Sequence, residues 1–282
     1  MTIYAPAKIN LSLDVTEKRS DGYHEIETLM QTVSLRDEIA LEKSDVIEMS
    51  TNRFYLPCDE RNLAFRAAQA FFAAANIDGG VKITLRKNIP VGAGLGGGSS
   101  DAAAVLKGLN ALYDANLSME KLTEIGAGLG ADVPFFFTGG TCLARGMGER
   151  LTPVQNNLKC FIVIVKPEFS ISTKWVYQNL KLNEIKQRPD TNAMIDALER
   201  GDLRAAAQNM CNVLEGVTAK RCGHVGVLKS RMTEAGAIGA MMSGSGSAVF
   251  GLFEREQAAR KCVTRLKAGY HQVFISQGIN SL

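Results

Sequence analysis

The sequence predicts a mixed fold of strands and helices in two domains, on three observations. An N-terminal run alternates apolar and polar side chains with the period of a strand. A second alternating run leads into a glycine-rich loop and then an alanine-rich helix. After about Thr152 the pattern restarts and follows the order β-α-β-β-α-β, the split βαβ plan. The chain has 282 residues, 46% hydrophobic and 22% charged, which suffices for two modest cores.

In chain order, Ile3, Ala5, Ala7, Ile9, Leu11, Leu13 and Val15 alternate with Lys8, Asn10, Ser12 and Asp14. This is the pattern of a half-buried strand that carries Lys8 and Asn10 on one face. Asp21-Gly22 marks a turn that presents Tyr23 and His24 at the start of the next strand. NLAFRAAQAFFAAA from Asn62 is rich in helix formers, and VKITL from Val81 alternates again. From Ser99, SSDAAAVLKGLNALY reads as a helix with Ser or Asp suited to its cap. A further helix should run from about Ser118 to Leu129 and stop in GLGADVP, where Pro134 prevents continuation and leaves Asp132 on a connection.

In the second half, CFIVIVKP is a buried strand by its β-branched content and STKWVYQNL a helix, with helical stretches to about Ala235. AIGAMMSG and SAVFGLF then flank a glycine-serine turn, EREQAARKCVTRLKA is amphipathic, and HQVFIS is a strand. NNLK near Leu158 and LNEIKQRPD near Pro189 read as surface connections.

Composition narrows the function. Lys plus Arg number 32 against 29 for Asp plus Glu, so no basic stripe points to nucleic acid. No apolar run approaches the roughly 20 residues that span a bilayer, and MTIYAPAKINLSLDV lacks the pattern of a signal peptide. A cytoplasmic protein is expected, without nucleic-acid or membrane partners, as a monomer or weak homodimer. Cys58, Cys142, Cys160, Cys211, Cys222 and Cys262 show no paired short spacing and read as reduced and mostly structural. Cys222 and His224 are close but lack a second pair of ligands for a metal.

The stretch PVGAGLGGGSSDAA, from Pro90, carries the chemistry. Its glycines let the backbone approach a ligand, and its N–H groups converge with the start of a helix on a point that favours an anion. Gly92, Gly94 and Gly97 formally satisfy G-x-G-x-x-G, but the acidic residue of a dinucleotide fold should end the following strand, and Asp114 falls by the end of a helix. No lysine follows the last glycine, which excludes a Walker A loop. A plain flexible loop is a further alternative, disfavoured because strand, glycines and capped helix agree with one another, and the third reading is a phosphate loop for a nucleoside triphosphate, with Ser99 and Ser100 offering hydroxyls to phosphate or magnesium. A side chain at Gly96 should then intrude where the backbone meets phosphate.

This stretch resembles the P-x-x-x-G-L-G-x-S-S-A-A signature of the GHMP kinases, the family of galactokinase, homoserine kinase and mevalonate kinase. APAKINLSL, DGYHEI, ERNL, LGADVPFF, STKWVY and MSGSGSAVF extend the resemblance over essentially the whole chain. They narrow it to the branch that transfers the ATP γ-phosphate to the 2-hydroxyl of a methylerythritol carrying cytidine diphosphate, in non-mevalonate isoprenoid precursor synthesis. The resemblance implies an α+β fold of the GHMP kinase type. A ribosomal S5 domain 2-like N-terminal domain, 1–153, would bind ATP, and a ferredoxin-like C-terminal domain, 154–282, would follow. The alternatives are another GHMP small-molecule kinase, a dinucleotide-binding oxidoreductase, and a non-catalytic nucleotide sensor, which would be expected to lack Lys8 or Asp132.

By the same resemblance Asp132 and Lys8 form the reacting pair. Asp132 orients the hydroxyl and accepts its proton late; Lys8 polarises the hydroxyl and stabilises transferred charge. Asn10 helps to orient substrate or Asp132. Tyr23, His24 and Tyr177 clamp the cytosine, with Trp175 a neighbour of similar character. Pro90, Gly92, Gly94, Leu95, Gly96, Gly97, Gly98, Ser99 and Ser100 form the phosphate loop, and Asn62 and Lys87 lie near adenine. The Ser243–Ser247 turn should close against the glycine loop. ATP and Mg²⁺ are the expected cofactors. Relatives outside the branch use a glutamate on the second helix for magnesium, but neither Glu120 nor Glu124 fits that spacing, so the metal ligand stays open.

Overall fold

A computed structural model describes residues 1–280. Strands β1 (Thr2–Lys18) and β2 (His24–Ser44) form a long antiparallel pair, with register shifts at Pro6/Ala7, Asn10/Ser12 and Val15/Glu17. Such bulges bend a strand and re-aim its side chains. After β3 (Glu48–Thr51), α1 (Leu63–Ala75) and β4 (Gly80–Arg86) come α2 (Gly97–Leu112), α3 (Met119–Leu129) and the single turn α4 (Phe135–Thr138). β5 (Thr141–Gly146) and β6 (Arg150–Val154) complete this half. The C-terminal part of β2 pairs with β4 and its N-terminal part with β5, so one bent strand carries neighbours at both ends.

The second half begins with β7 (Phe161–Lys166) and α5 (Thr173–Gln178), then passes through a short 3₁₀ turn (Leu182–Glu184), α6 (Thr191–Arg200) and α7 (Leu203–Asn209). The two-residue β8 (Cys211–Asn212) returns to the first sheet and lies parallel to β1. There follow α8 (Glu215–Arg221), α9 (His224–Glu234), β9 (Gly239–Met242), β10 (Val249–Phe253), α10 (Glu256–Lys267) and β11 (Gln272–Gln277). The second sheet has the order β11-β7-β10-β9. Its first and third strands are central and the two crossovers carry helices, the arrangement expected of the split βαβ plan.

Two local expectations are corrected. β1 is not half-buried: from Ala5 to Val15 every residue is buried, Lys8 and Asn10 included. The glycine loop and the turn before β10 cover the polar face, since a Cβ at Gly96 would stand 3.0 Å from Lys8 Cγ and one at Gly244 3.3 Å from Asn10 Oδ1. Helix α2 begins at Gly97, before either serine, with Gly96 at φ +69° as a cap that has no side chain. Its first helical bond is Ser100 N–H to Gly96 O, so the N–H groups of Gly97, Gly98 and Ser99 face out of the helix end.

The core lies in three apolar clusters. One joins α1, α2 and α4 to the first sheet, through Phe71, Leu106 and Phe135. A second contains Ile9, Ala93 and Leu95 from the first half with Ile164, Met194 and Phe250 from the second. A third, with Val165, Leu228 and Phe253, fills the second sheet and its helices. The six cysteines are free thiols, and burial pushes those of Cys142 and Cys262 up to about 11. Among the described residues no helix is long and apolar enough to cross a membrane.

Candidate active site

Lys8 extends from the middle of β1 with only 5% of its surface exposed. A buried ammonium needs partners to offset lost hydration. Its Nζ donates to Asn10 Oδ1 at 2.8 Å and lies 3.5 Å from Asp132 Oδ2. Asp132 sits in the turn between α3 and α4, and its side chain is 35% exposed, so it meets both the lysine and solvent. Asn10 is fixed in turn: its Nδ2 donates to Thr28 Oγ1 at 2.8 Å, and the Thr28 hydroxyl donates to Ser12 O at 2.5 Å. Thr28 was not legible in the sequence because it belongs to no motif; only strand pairing brings it to Asn10.

The glycine loop is fastened on two sides. Lys8 N–H donates to Leu95 O at 2.9 Å, tying the loop to β1. On the other side Ala248 N–H donates to Ala93 O at 3.0 Å and the Ser243 hydroxyl to Gly94 O at 2.9 Å. The Ser243–Ser247 turn thus rests on the loop, as the sequence suggested. Gly94, at φ +77°, stands so close that a Cβ there would collide with the Ser243 carbonyl oxygen. Gly96 departs from expectation, because a Cβ on it would meet Phe136 Cζ at 2.8 Å and Lys8 Cγ at 3.0 Å. Its bare Cα makes room for the lysine stem.

Other expected residues divide. Gly98 is exposed, Ser99 is partly exposed, and Ser100 is buried with a hydroxyl that has no partner among the described residues. Pro90 and Leu95 are buried under the loop and Gly92 is exposed. Lys87 does not extend towards a ligand: its ammonium is buried between Asp37 and Asp101, 2.5 Å from Asp101 Oδ2. Burial opposes that charge, but the carboxylates of Asp101 and Asp37 outweigh it and hold the lysine pKa up. Asn62 caps α1, accepting from Ala64 N–H at 3.0 Å and donating to Pro57 O at 2.9 Å, so both ends of its amide are committed. Glu120 and Glu124 are exposed on α3, the latter bonded to Lys121. Among the described residues no three acidic, histidine or cysteine side chains gather as a metal cage.

Tyr23 is 63% exposed beyond the Asp21-Gly22 turn. The His24 and Tyr177 rings lie 5.2 Å apart, tilted by 38°. Trp175 is elsewhere, under the Arg221 guanidinium at 4.5 Å, so of the two aromatics on α5 only Tyr177 reaches His24. Burial, then the Asp132 charge, push the Tyr177 phenol up. Burial, then Lys18, lower the His24 pKa, leaving a neutral imidazole at neutral pH that can both donate and accept. A separate cavity of about 430 Å³, lined by Lys181, Asn212, Glu215 and Lys229, contains neither Lys8 nor Asp132.

A buried lysine paired with a half-exposed aspartate beside a glycine loop and a helix start is equipped for phosphoryl transfer. The GHMP kinases N terminal domain matches residues 62–140 and the GHMP kinases C terminal domain residues 194–272. A relative from Clostridium botulinum named 4-diphosphocytidyl-2-C-methyl-D-erythritol kinase is 48% identical over 277 residues, 98% of this chain and 99% of its own. The chain belongs to the GHMP kinases. A relative of the same name from Acetivibrio thermocellus is 46% identical over 280 residues, covering 99% of both chains. The crystal structure of a 4-(cytidine 5'-diphospho)-2C-methyl-D-erythritol kinase superimposes with a TM-score of 0.85 at 39% identity, covering 99% of both chains. This GHMP kinase is accordingly an ATP-dependent small-molecule kinase.

Because Gly96 faces Lys8, Gly96→Ala should lower kcat, by about 10- to 100-fold for a displacement on the ångström scale. The KM for ATP should change less than kcat. Steady-state kinetics decide: a raised KM for ATP with kcat intact would return Gly96 to direct phosphate contact.

Proposed function

We propose that the chain transfers the γ-phosphate of ATP to the 2-hydroxyl of 4-diphosphocytidyl-2-C-methyl-D-erythritol, with Lys8 and Asp132 as the reacting pair. The observation that carries this reading is the buried Lys8 ammonium held 3.5 Å from Asp132 beside the glycine loop. The hydroxyl oxygen attacks the γ-phosphorus as the bond to the β,γ-bridging oxygen breaks, and ADP leaves with that electron pair. The hydroxyl proton passes late to the Asp132 carboxylate and then to water. Lys8 lies against the oxygens on which charge spreads, and Asn10 aims it.

The phosphates lie over Gly92, Gly94, Gly97, Gly98 and Ser99, held by the outward N–H groups at the start of α2. Pro90, Leu95, Gly96 and Ser100 support that loop from below. Asn62 and Lys87 serve the nucleotide end as scaffold, since their polar atoms are already bonded. Magnesium, bound together with ATP, would neutralise charge on the phosphates, with the partly exposed Ser99 hydroxyl at the start of α2 at hand to hold it. Tyr23 and Tyr177 stack on the two faces of cytosine, and neutral His24 bonds its edge. The nucleotide-binding domain spans 1–153 and the second 154–282, with the boundary at the end of β6. In this reading the enzyme acts as a monomer or weak homodimer in the cytoplasm.

Wild type and Asp132→Asn, given ATP, magnesium and a panel of alcohols that includes the cytidyl erythritol, test the reading by product mass. Wild type should phosphorylate the cytidyl substrate alone, and the variant should lose at least about 100-fold in kcat with ATP affinity little changed. Turnover of another alcohol in its place rejects the substrate; near-normal turnover by the variant rejects the pair.

Tyr177→Ala and Tyr23→Ala should each weaken cytidyl-substrate binding by roughly 5- to 150-fold, the worth of one aromatic stack, while leaving ATP untouched. Tyr177→Phe keeps the ring face and should bind nearly normally. Calorimetric titration of each variant with both ligands checks this. Equal weakening of both ligands, or dependence on Trp175 in place of Tyr177, would refute the clamp.

A further inference from the structure

Beneath the glycine loop lies a charged group that the reaction itself does not use. Lys87, Asp37 and Asp101 are all buried, and the Lys87 ammonium bonds both carboxylates. The ammonium also touches the loop from below, since a Cβ on Gly97, the first residue of α2, would stand 3.0 Å from Nζ. One cation against two acids leaves a net negative charge if both are ionised, which a buried site resists.

The hydrogen bonds tell the two acids apart. Asp37 is equipped as a carboxylate: Oδ1 accepts from Asn88 N–H at 2.5 Å and Ile89 N–H at 2.8 Å, and Oδ2 accepts from Lys87. Asp101 has no backbone N–H: it accepts from Lys87 on Oδ2 and shares a side-chain hydrogen bond with Asp37, which a proton on Asp101 supplies, while its buried Oδ1 has no partner among the described residues. The proton therefore belongs to Asp101. Burial, with the Asp37 charge adding to it against Lys87, pushes its carboxyl up to about 8.

The charges acting on Asp101 are Lys87, after β4, and Asp37, in β2. Helix α1, packed against α2, buries the apolar Ala64, Ala67, Ala68 and Phe71. From β1 the Lys8 stem comes up against Gly96.

We propose that Asp101 and Lys87 are positioning residues for ATP, acting through the loop: with Asp101 protonated the buried group is neutral and ATP binds fully, and with Asp101 ionised an uncompensated negative charge beneath the phosphates weakens it. The proposal rests on the assignment of the glycine loop to ATP phosphates. It makes ATP affinity, and not the chemical step, the quantity that falls in mild alkali. A purely structural role for the group would leave no such dependence.

The test is calorimetric titration of the folded wild-type protein with the non-hydrolysable β,γ-imido analogue of ATP and, separately, with CDP. At about pH 9 the analogue should bind roughly tenfold more weakly than at about pH 7, while CDP is unchanged, because a buried unit charge near the phosphates acts on that scale. Asp101→Asn, neutral at every pH, should give the same analogue affinity at both. An analogue affinity that is flat in wild type, or that falls equally in Asp101→Asn, overturns the proposal while leaving the loop assignment standing. Failure of the analogue to bind at either pH overturns both. Should Asp101→Asn not fold, the contrast between the analogue and CDP in wild type alone decides.

Discussion

A lysine on a strand covered on both faces constrains everything around it. Burying an ammonium costs several kcal/mol unless partners replace its water. Lys8 finds them in Asn10 on its own strand and in Asp132 from a turn far along the chain. The stem needs room as well, which Gly96 and the edge of Phe136 leave beside it. The glycine loop, the α3–α4 turn and β1 are therefore fitted to one side chain, and none can shift without uncovering a charge.

The second sheet shares this frame. The Ser243 hydroxyl donates to Gly94 O, and the Asn10 N–H donates to Ser243 Oγ at 3.3 Å. Asn212 Nδ2 holds Met242 O and Gly244 O from below, at 2.9 and 2.8 Å. At the start of α5, Thr173 Oγ1 and Ser245 Oγ lie 2.8 Å apart. Tyr177, on that helix, is thereby referenced to the same turn that holds the phosphate loop. Transfer between two bound molecules depends on fixing their reacting atoms relative to one another, and a shared hydrogen-bonded frame is an economical way to do so.

What the sequence disclosed follows from the range of each signal. β1, the Asp21-Gly22 turn, α3 and the split βαβ order were legible because periodicity and turn residues act locally. The depth of β1 was not, since its second face is covered by the glycine loop and the turn before β10. The start of α2 was misplaced because a left-handed Gly96 can begin a helix without a capping side chain. Lys8 and Asp132 came from motif resemblance, and no periodicity could have paired them. Thr28 and the Lys87–Asp37–Asp101 group were illegible for a related reason: each arises where strand pairing or helix packing brings together residues that carry no signal separately.

The fate of Asn62 and Lys87 bears on where such a kinase selects its substrates. Both side chains were expected at adenine, yet one caps α1 and the other is locked beneath the loop. Their donors are committed before any nucleotide arrives. Groups that hydrogen-bond a ligand discriminate far better than apolar walls, because a wrong ligand leaves them unpaired. The proposed cytidyl end keeps such groups in reserve: His24 is neutral and partly exposed, and Tyr23 is exposed. The proposed acceptor carries the feature that distinguishes it from other alcohols at that end, whereas on the same proposal ATP is held chiefly through phosphates common to every nucleoside triphosphate. On that proposal selection is concentrated on the acceptor, where an error would phosphorylate the wrong metabolite.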